Sequence, residues 1–236
     1  FTAFTTGRVV DMRAVMDIAP SPLALPFPDM PPVAGVTLRV ATARYKDWDR
    51  ADLTFAKLAP GTNVAGVFTK SACASAEVEF GRQQVKSGKA RALVVNAGNS
   101  NAFTGQSGRD AVTAIQAQIA DATDCEVGEV FVSSTGVIGV PLPMDRARAG
   151  VAAALSSEPC GWLEAANAIG TTDTFAKGAR ASAMIGDTRI ELVGIVKGSG
   201  MIAPDMATML GYVFTDADVA SAFLQEVLEA ANHATF

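Results

Sequence analysis

Ala207 and Thr208 lie in the stretch Lys197-Gly-Ser-Gly-Met-Ile-Ala-Pro-Asp-Met-Ala-Thr-Met-Leu210. A threonine hydroxyl preceded by a residue as small as alanine can attack the carbonyl of its own peptide bond. An N→O acyl shift followed by ester hydrolysis then leaves Thr208 as a new chain terminus. Its α-amine, with a pKa of about 7.7–8.0, can act as base for its own hydroxyl and make it a nucleophile. The same residues also fit a glycine turn with a structural threonine, because residues 190–196 and 209–214 read as strands on either side. Gly198-Ser199-Gly200 lacks the Gly-Lys-Ser/Thr order and the strand–helix setting of a phosphate loop, so nucleotide binding is not expected.

Two further polar strand ends have chemical potential. In Phe131-Val-Ser-Ser-Thr-Gly-Val-Ile-Gly139, Thr135 and Gly136 put a hydroxyl and a backbone N–H at the end of an apolar strand. Such a pair can serve as oxyanion donors or simply end a strand. In Ala92-Leu-Val-Val-Asn-Ala-Gly-Asn-Ser-Asn-Ala-Phe-Thr-Gly105, a strand opens into a loop rich in Asn and Gly. Asn96, Asn99 and Asn101 can line a pocket or cap their own loop, and loop support is expected for two of the three.

These three segments, with Thr171-Thr172-Asp173-Thr174 and Pro32-Val-Ala-Gly-Val36, resemble the self-cleaving ornithine acetyltransferase / glutamate N-acetyltransferase family of arginine biosynthesis, in the same order and over residues 20–236. The resemblance implies cleavage between Ala207 and Thr208, with Thr208 as nucleophile and Thr135 and Gly136 as the oxyanion hole. It implies a substrate site containing Lys197, Thr208 and one of Thr171 and Thr172, the spacing leaving that choice open. The implied reaction is a ping-pong transfer of acetyl from N-acetylornithine to glutamate, with acetyl-CoA left open as another donor and no cofactor. The implied domains are an α chain over 20–207 and the start of a β chain from 208, pairing as a hetero-oligomer. Family members continue beyond Phe236, so the chain is expected to cover about the first half to three-fifths of a precursor. A related self-processing amidase or aminopeptidase, passing the acyl group to water, is the rival activity, and an inactive fragment is the non-catalytic rival.

Composition narrows the setting. Hydrophobic content of 49% with 18% charged residues describes a globular chain, and 236 residues suffice for a substantial core. The net charge of −5 and the lack of a basic stripe argue against nucleic acid. No apolar run is long enough to span a bilayer. Cys73, Cys125 and Cys160 are widely spaced and odd in number, which predicts reduced, mostly buried thiols of a cytoplasmic protein. The single His233 has no partner at ligand spacing, so no metal site is expected. Residues 1–19 start without Met, match nothing in the family and lack signal-peptide features, so they are expected to be an extension without a functional role.

The elements that must position these residues form a mixed α/β fold, with sheets sandwiched by helices and the nucleophile at a sheet edge facing a cleft. Six prolines between residues 20 and 32 predict an extended, surface-hugging lead-in. Strands are predicted over 52–59 and 63–69, joined at Pro60-Gly61, and over 74–80, 90–96 and 129–134. Helices are predicted over 108–122, where Val112, Ile115 and Ile119 share a face, and over 143–156 and 161–169. Residues 181–185 and 188–196 form a hairpin across Gly186-Asp187, and 208–214 is the last strand. A final helix is predicted with Thr215 as N-cap and Val219, Phe223, Val227 and Leu228 on one face.

Overall fold

The computed structural model describes residues 20, 22, 24–199 and 209–235. Four strands form the first sheet in the order β1 (Val36–Ala41), β2 (Leu53–Leu58), β3 (Ala92–Asn99), β4 (Val130–Val137). The first three pair antiparallel, whereas β3 and β4 run parallel. A parallel pair needs a crossover, and helix α2 (Gly105–Thr123) supplies it. The β3 run Ala92-Leu-Val-Val is apolar without alternation because β3 is an interior strand covered on both faces.

The two faces of this sheet carry separate cores. On one face, Val112, Ile115 and Ile119 of α2 meet Phe55, Val94 and Val132, and helix α3 (Met144–Ser156) joins them through Ala147 and Val151. Burying a side chain such as Phe55 or Ile119 contributes about 1.5–3 kcal/mol. On the other face lies helix α4 (Trp162–Ile169), which buries Trp162, Ala165 and Ile169 between the first sheet and a second. That second sheet has the order β5 (Lys177–Ile185), β6 (Thr188–Lys197), β7 (Leu210–Thr215), all antiparallel. The expected hairpin turns at Gly186, whose φ of 60° belongs to the left-handed region a two-residue turn requires. Helix, sheet, helix and sheet thus alternate, the mixed α/β class expected.

Three local expectations are overturned. Residues 63–69 form no strand. Both edges of β2 are taken by β1 and β3, leaving only an isolated bridge from Asn63 to Lys89. This segment instead bonds the C-terminal region, Asn63 Nδ2 donating to the Val219 carbonyl and Gly66 N–H to Gln225 Oε1. Residues 74–80 are not a strand either: helix α1 (Ala76–Gln84) starts there. Thr215 does not cap the last helix, because it ends β7 and its hydroxyl accepts from Ala217 N–H. Helix α5 begins later, over Ser221–Thr235, with Phe223 and Val227 exposed.

The proline-rich lead-in has no regular structure over 24–32 but is not merely solvated. Phe27 and Met30 pack on the second core, and Trp162 Nε1 donates to the Pro31 carbonyl at 2.8 Å. The three cysteines are free, but Cys73 is exposed and the other two half-buried, against the expectation that most would be buried. Among the described residues no helix is long and apolar enough to cross a membrane.

Candidate functional site

The site is built where β3 and β4 end side by side. Their parallel register pairs Ala97 with Thr135 and Gly98 with Gly136, then breaks at Asn99. Gly98 and Gly136 have φ of 120° and 136°, and a Cβ on Gly136 would sit 2.3 Å from the Gly98 carbonyl carbon and 2.6 Å from Asn99 N. Only glycine permits that approach. The Gly of the Thr135-Gly136 pair is therefore a packing necessity, whatever else its N–H does.

All three asparagines make hydrogen bonds that brace the end of β3 and the loop after it, one more than expected. Asn96 Nδ2 donates to the Asn99 carbonyl, Asn99 Nδ2 to the Val140 carbonyl, and Asn101 Nδ2 to Glu77 and to the Gly108 carbonyl. Asn101 adopts a positive φ, which Asn tolerates better than most residues. These bonds hold the loop close against β4.

Lys197, the last residue of β6, crosses from the second sheet to this strand end. Its Nζ donates to Thr135 Oγ1 at 3.0 Å and to Thr171 Oγ1 at 3.1 Å. Lys197 is 5% exposed and Thr135 1% exposed, so the cluster is buried. Each hydroxyl accepts from the ammonium, so each must direct its own proton elsewhere. Thr171 is buried and Thr172 exposed, so the structure brings Thr171 and not Thr172 to Lys197.

Asp173, which the sequence reading did not single out, sits behind the cluster. Its Oδ1 accepts from Lys177 Nζ at 2.6 Å and from Gly198 N–H at 2.8 Å. Burial alone would raise its carboxyl. The hydrogen bonds from Lys177 and Gly198 and the charges of Lys177 and Lys197 outweigh burial, holding it below the usual carboxylate range. Lys197 shows the converse: burial pushes its ammonium below the ordinary lysine value, Asp173 opposes this, and Lys177 adds to it. A carboxylate two residues after Thr171 was the available sequence signal, but nothing local tied it to Gly198.

Ala207 and Thr208 lie outside the described residues. The described chain resumes at Met209, whose Cγ lies 3.4 Å from where a Cβ on Gly198 would be, and Leu210 pairs directly with Lys197. Among the described residues no group of three or more His, Cys, Asp or Glu side chains could hold a metal ion.

This architecture is that of ornithine acetyltransferases. The crystal structure of ornithine acetyltransferase complexed with ornithine from Mycobacterium tuberculosis matches with a TM-score of 0.61 and 31% identity, covering 75% of this chain and 94% of that one. The crystal structure of arginine biosynthesis bifunctional protein ArgJ from Bacillus halodurans matches with a TM-score of 0.68 and 29% identity, over 75% and 92%. The model of the ArgJ family matches residues 37–236, and the chain belongs to that family. The arginine biosynthesis bifunctional protein ArgJ of Zymomonas mobilis is 58% identical over 217 residues, which are 92% of this chain and 53% of that protein. Its counterpart from Bradyrhizobium diazoefficiens is 51% identical over 225 residues, 94% of this chain and 54% of the relative. The chain thus spans about half the length of the curated relatives it matches.

Proposed function

We propose that the full-length protein carrying this chain transfers an acetyl group from N-acetylornithine to glutamate, through an acetyl-threonine on Thr208, in arginine biosynthesis. Family membership supports the reaction class. The observation that carries the site is the buried Lys197 ammonium binding Thr135 and Thr171 at 3.0 and 3.1 Å, on a residue paired with Leu210, which follows Thr208 by two positions in sequence.

The chain first cuts itself. Thr208 Oγ attacks the Ala207 carbonyl, the C–N bond breaks as the C–O ester forms, and water hydrolyses the ester. This leaves an α chain over 20–207 and a β chain from 208, which stay paired. The freed α-amine takes the Thr208 hydroxyl proton as Oγ attacks the acetyl carbonyl of N-acetylornithine. Thr135 Oγ–H and Gly136 N–H stabilise the oxyanion, Thr135 being oriented by Lys197, and the proton passes to the departing ornithine amine. The glutamate amine then attacks the acetyl ester and restores the Thr208 hydroxyl. Lys197 also offers its positive charge to the substrate carboxylate, beside Thr171. The setting is a biosynthetic enzyme of the cytoplasm.

The test is intact mass and product analysis of the full-length protein. Thr208→Ala is expected to stay uncut and inactive, because no hydroxyl remains to attack Ala207, whereas Thr208→Ser still processes. Cleavage at this bond in Thr208→Ala protein would falsify the assignment. N-acetylornithine supplied with and without glutamate separates transfer to an amine from transfer to water, the latter being the outcome for an amidase.

A further inference from the structure

Beneath the Thr135–Gly136 strand end lies a second polar cluster that the mechanism above does not use. Glu77, in the first turn of α1, is 5% exposed although it is an acid. Its Oε1 lies 2.5 Å from Ser134 Oγ and accepts from Asn101 Nδ2 at 2.9 Å. Ser134 Oγ is also 2.6 Å from Asn96 Oδ1. Ser134 immediately precedes Thr135.

The protons of this cluster can be counted. Asn96 Nδ2 donates to the Asn99 carbonyl at 2.9 Å, so Asn96 presents an acceptor to Ser134; turning the amide over would set oxygen against oxygen. Ser134 has a single hydroxyl proton, and Asn96 Oδ1 takes it. The 2.5 Å contact between Ser134 Oγ and Glu77 Oε1 then needs a proton of its own, and only the carboxyl can provide it. The other oxygen, Oε2, is buried without a hydrogen bond, a position far more costly for a carboxylate than for the carbonyl of an acid.

We propose that Glu77 is a positioning residue for the Thr135–Gly136 donors, holding as a neutral acid the hydrogen-bond chain Glu77–Ser134–Asn96–Asn99 that clamps the end of β4 to the end of β3. Its catalytic consequence rests on the acetyl-transfer reading above; the clamp itself does not. Burial pushes the Glu77 carboxyl above its ordinary value, and its hydrogen bonds, first that with Ser134, oppose this only in part. The elements packed on α1 bring few charges. β3 and β4 carry no charged side chain, and the turn after α1 carries Lys86, bonded to Gln83. On α2, Arg109 pairs with Glu79 of α1 at the surface, Asp110 accepts from Gln106, and Asp121 lies toward the far end. Arg82 of α1 donates to the Thr69 carbonyl. None of these charges is a cause of the Glu77 shift.

Ionising Glu77 would draw the Ser134 proton away from Asn96 and open the chain at its centre. Because the folded value is raised, the stability this acid contributes is full only below the ordinary glutamate range and is lost as pH rises through the raised value. The activity should fall over the same rise, in kcat and not in KM, since the clamp bears on the oxyanion donors.

The experiment uses the full-length protein and has two arms. An infrared difference spectrum at neutral pH, wild type minus Glu77→Gln, should show the carbonyl stretch of a protonated carboxyl. In kinetics with N-acetylornithine and glutamate, Glu77→Gln keeps a donor toward Ser134 at the expense of the bond from Asn101 Nδ2 and cannot ionise, so the alkaline fall in kcat expected of wild type should weaken. Lys197 and the Thr208 amine titrate in both proteins, so the difference isolates Glu77. Glu77→Leu, which breaks the chain at every pH, should lower kcat by up to about 10²-fold with KM little changed. A spectrum without the carboxyl band overturns the proposal. A band together with an unaltered alkaline limb in Glu77→Gln makes Glu77 a buried acid of the core and overturns the positioning role. Failure of wild type to transfer acetyl would count against the proposed function instead, and the infrared arm would then decide the clamp alone.

Discussion

Lys197 Nζ and Thr135 Oγ1 are 62 positions apart in sequence and belong to different sheets, yet they meet at 3.0 Å in a buried contact. The bond gives the Thr135 hydroxyl a direction. With a lone pair committed to the ammonium, its proton is available to an acceptor on another side. A positive charge next to that hydroxyl also makes it a better donor to a developing oxyanion.

Thr135→Val keeps the β-branched shape and removes this hydroxyl alone. If it donates to the tetrahedral oxyanion, kcat should fall by about 10²–10³, or roughly 2.7–4 kcal/mol, with KM and melting temperature little changed. Steady-state kinetics of the processed, full-length enzyme read this directly. A kcat within about twofold of wild type would reduce Thr135 to the end of a strand.

Lys197 makes a prediction in which activity and stability move in opposite directions. Its folded value lies below the ordinary lysine value, so the unfolded chain binds more protons over the interval between the two. Stability should therefore rise with pH across that interval. Activity should fall across it as the ammonium is lost. Lys197→Met removes both trends and, if the ammonium pairs with a substrate carboxylate, should raise KM by about tenfold or more. Melting curves and kinetics at matched pH values check it. Unaltered kinetics with only a change in stability would make Lys197 a structural ammonium.

Gly136 should tolerate no side chain. In Gly136→Ala the new Cβ would meet the backbone of Gly98 and Asn99 at 2.3–2.6 Å, in a φ region L-residues avoid. The backbone conformation alone costs about 1–3 kcal/mol, and the clash cannot be relieved by a rotamer. The variant should be poorly folded or clearly less stable in a thermal melt. Gly139→Ala is the control: it also has positive φ but meets nothing within 4 Å, so it should lose only the conformational part. Equal melting temperatures for the two variants would contradict the close crossing of β3 and β4.

What the sequence disclosed depended on whether the information was local. Val112, Ile115 and Ile119 repeat at helical spacing, and Gly186-Asp187 marks a two-residue turn, so α2 and the β5–β6 hairpin were legible. The strand expected over 63–69 failed because its turn is genuine but β2 had no free edge, and edge occupancy is a property of the whole sheet. Residues 76–80 alternate polar and apolar as a strand would. Glu77 breaks the usual meaning of that alternation, since one oxygen of its buried carboxyl is met by Ser134 and Asn101 from distant segments. At the site, the resemblance to a family singled out Lys197, Thr135 and the Thr171-Thr172 pair. No local pattern shows that Lys197 and Thr135 touch, nor that Thr171 faces inward and Thr172 outward. Asp173 went unnoticed because its role depends on Gly198 arriving just beyond the end of β6.

The pairing of β6 with β7, from Lys197 opposite Leu210 to Leu192 opposite Thr215, has a consequence for a chain cut at residue 207. The two pieces would be joined by a ladder of interstrand hydrogen bonds and by the second core, which includes Ile195, Leu210 and Tyr212. Scission would then cost the native state little, since those bonds exist on both sides of the break. What changes is the unfolded state, which becomes two molecules. Reassembly after denaturation would turn from a first-order into a second-order event, slower on dilution, and the intact precursor would have only one opportunity to fold as a single thread.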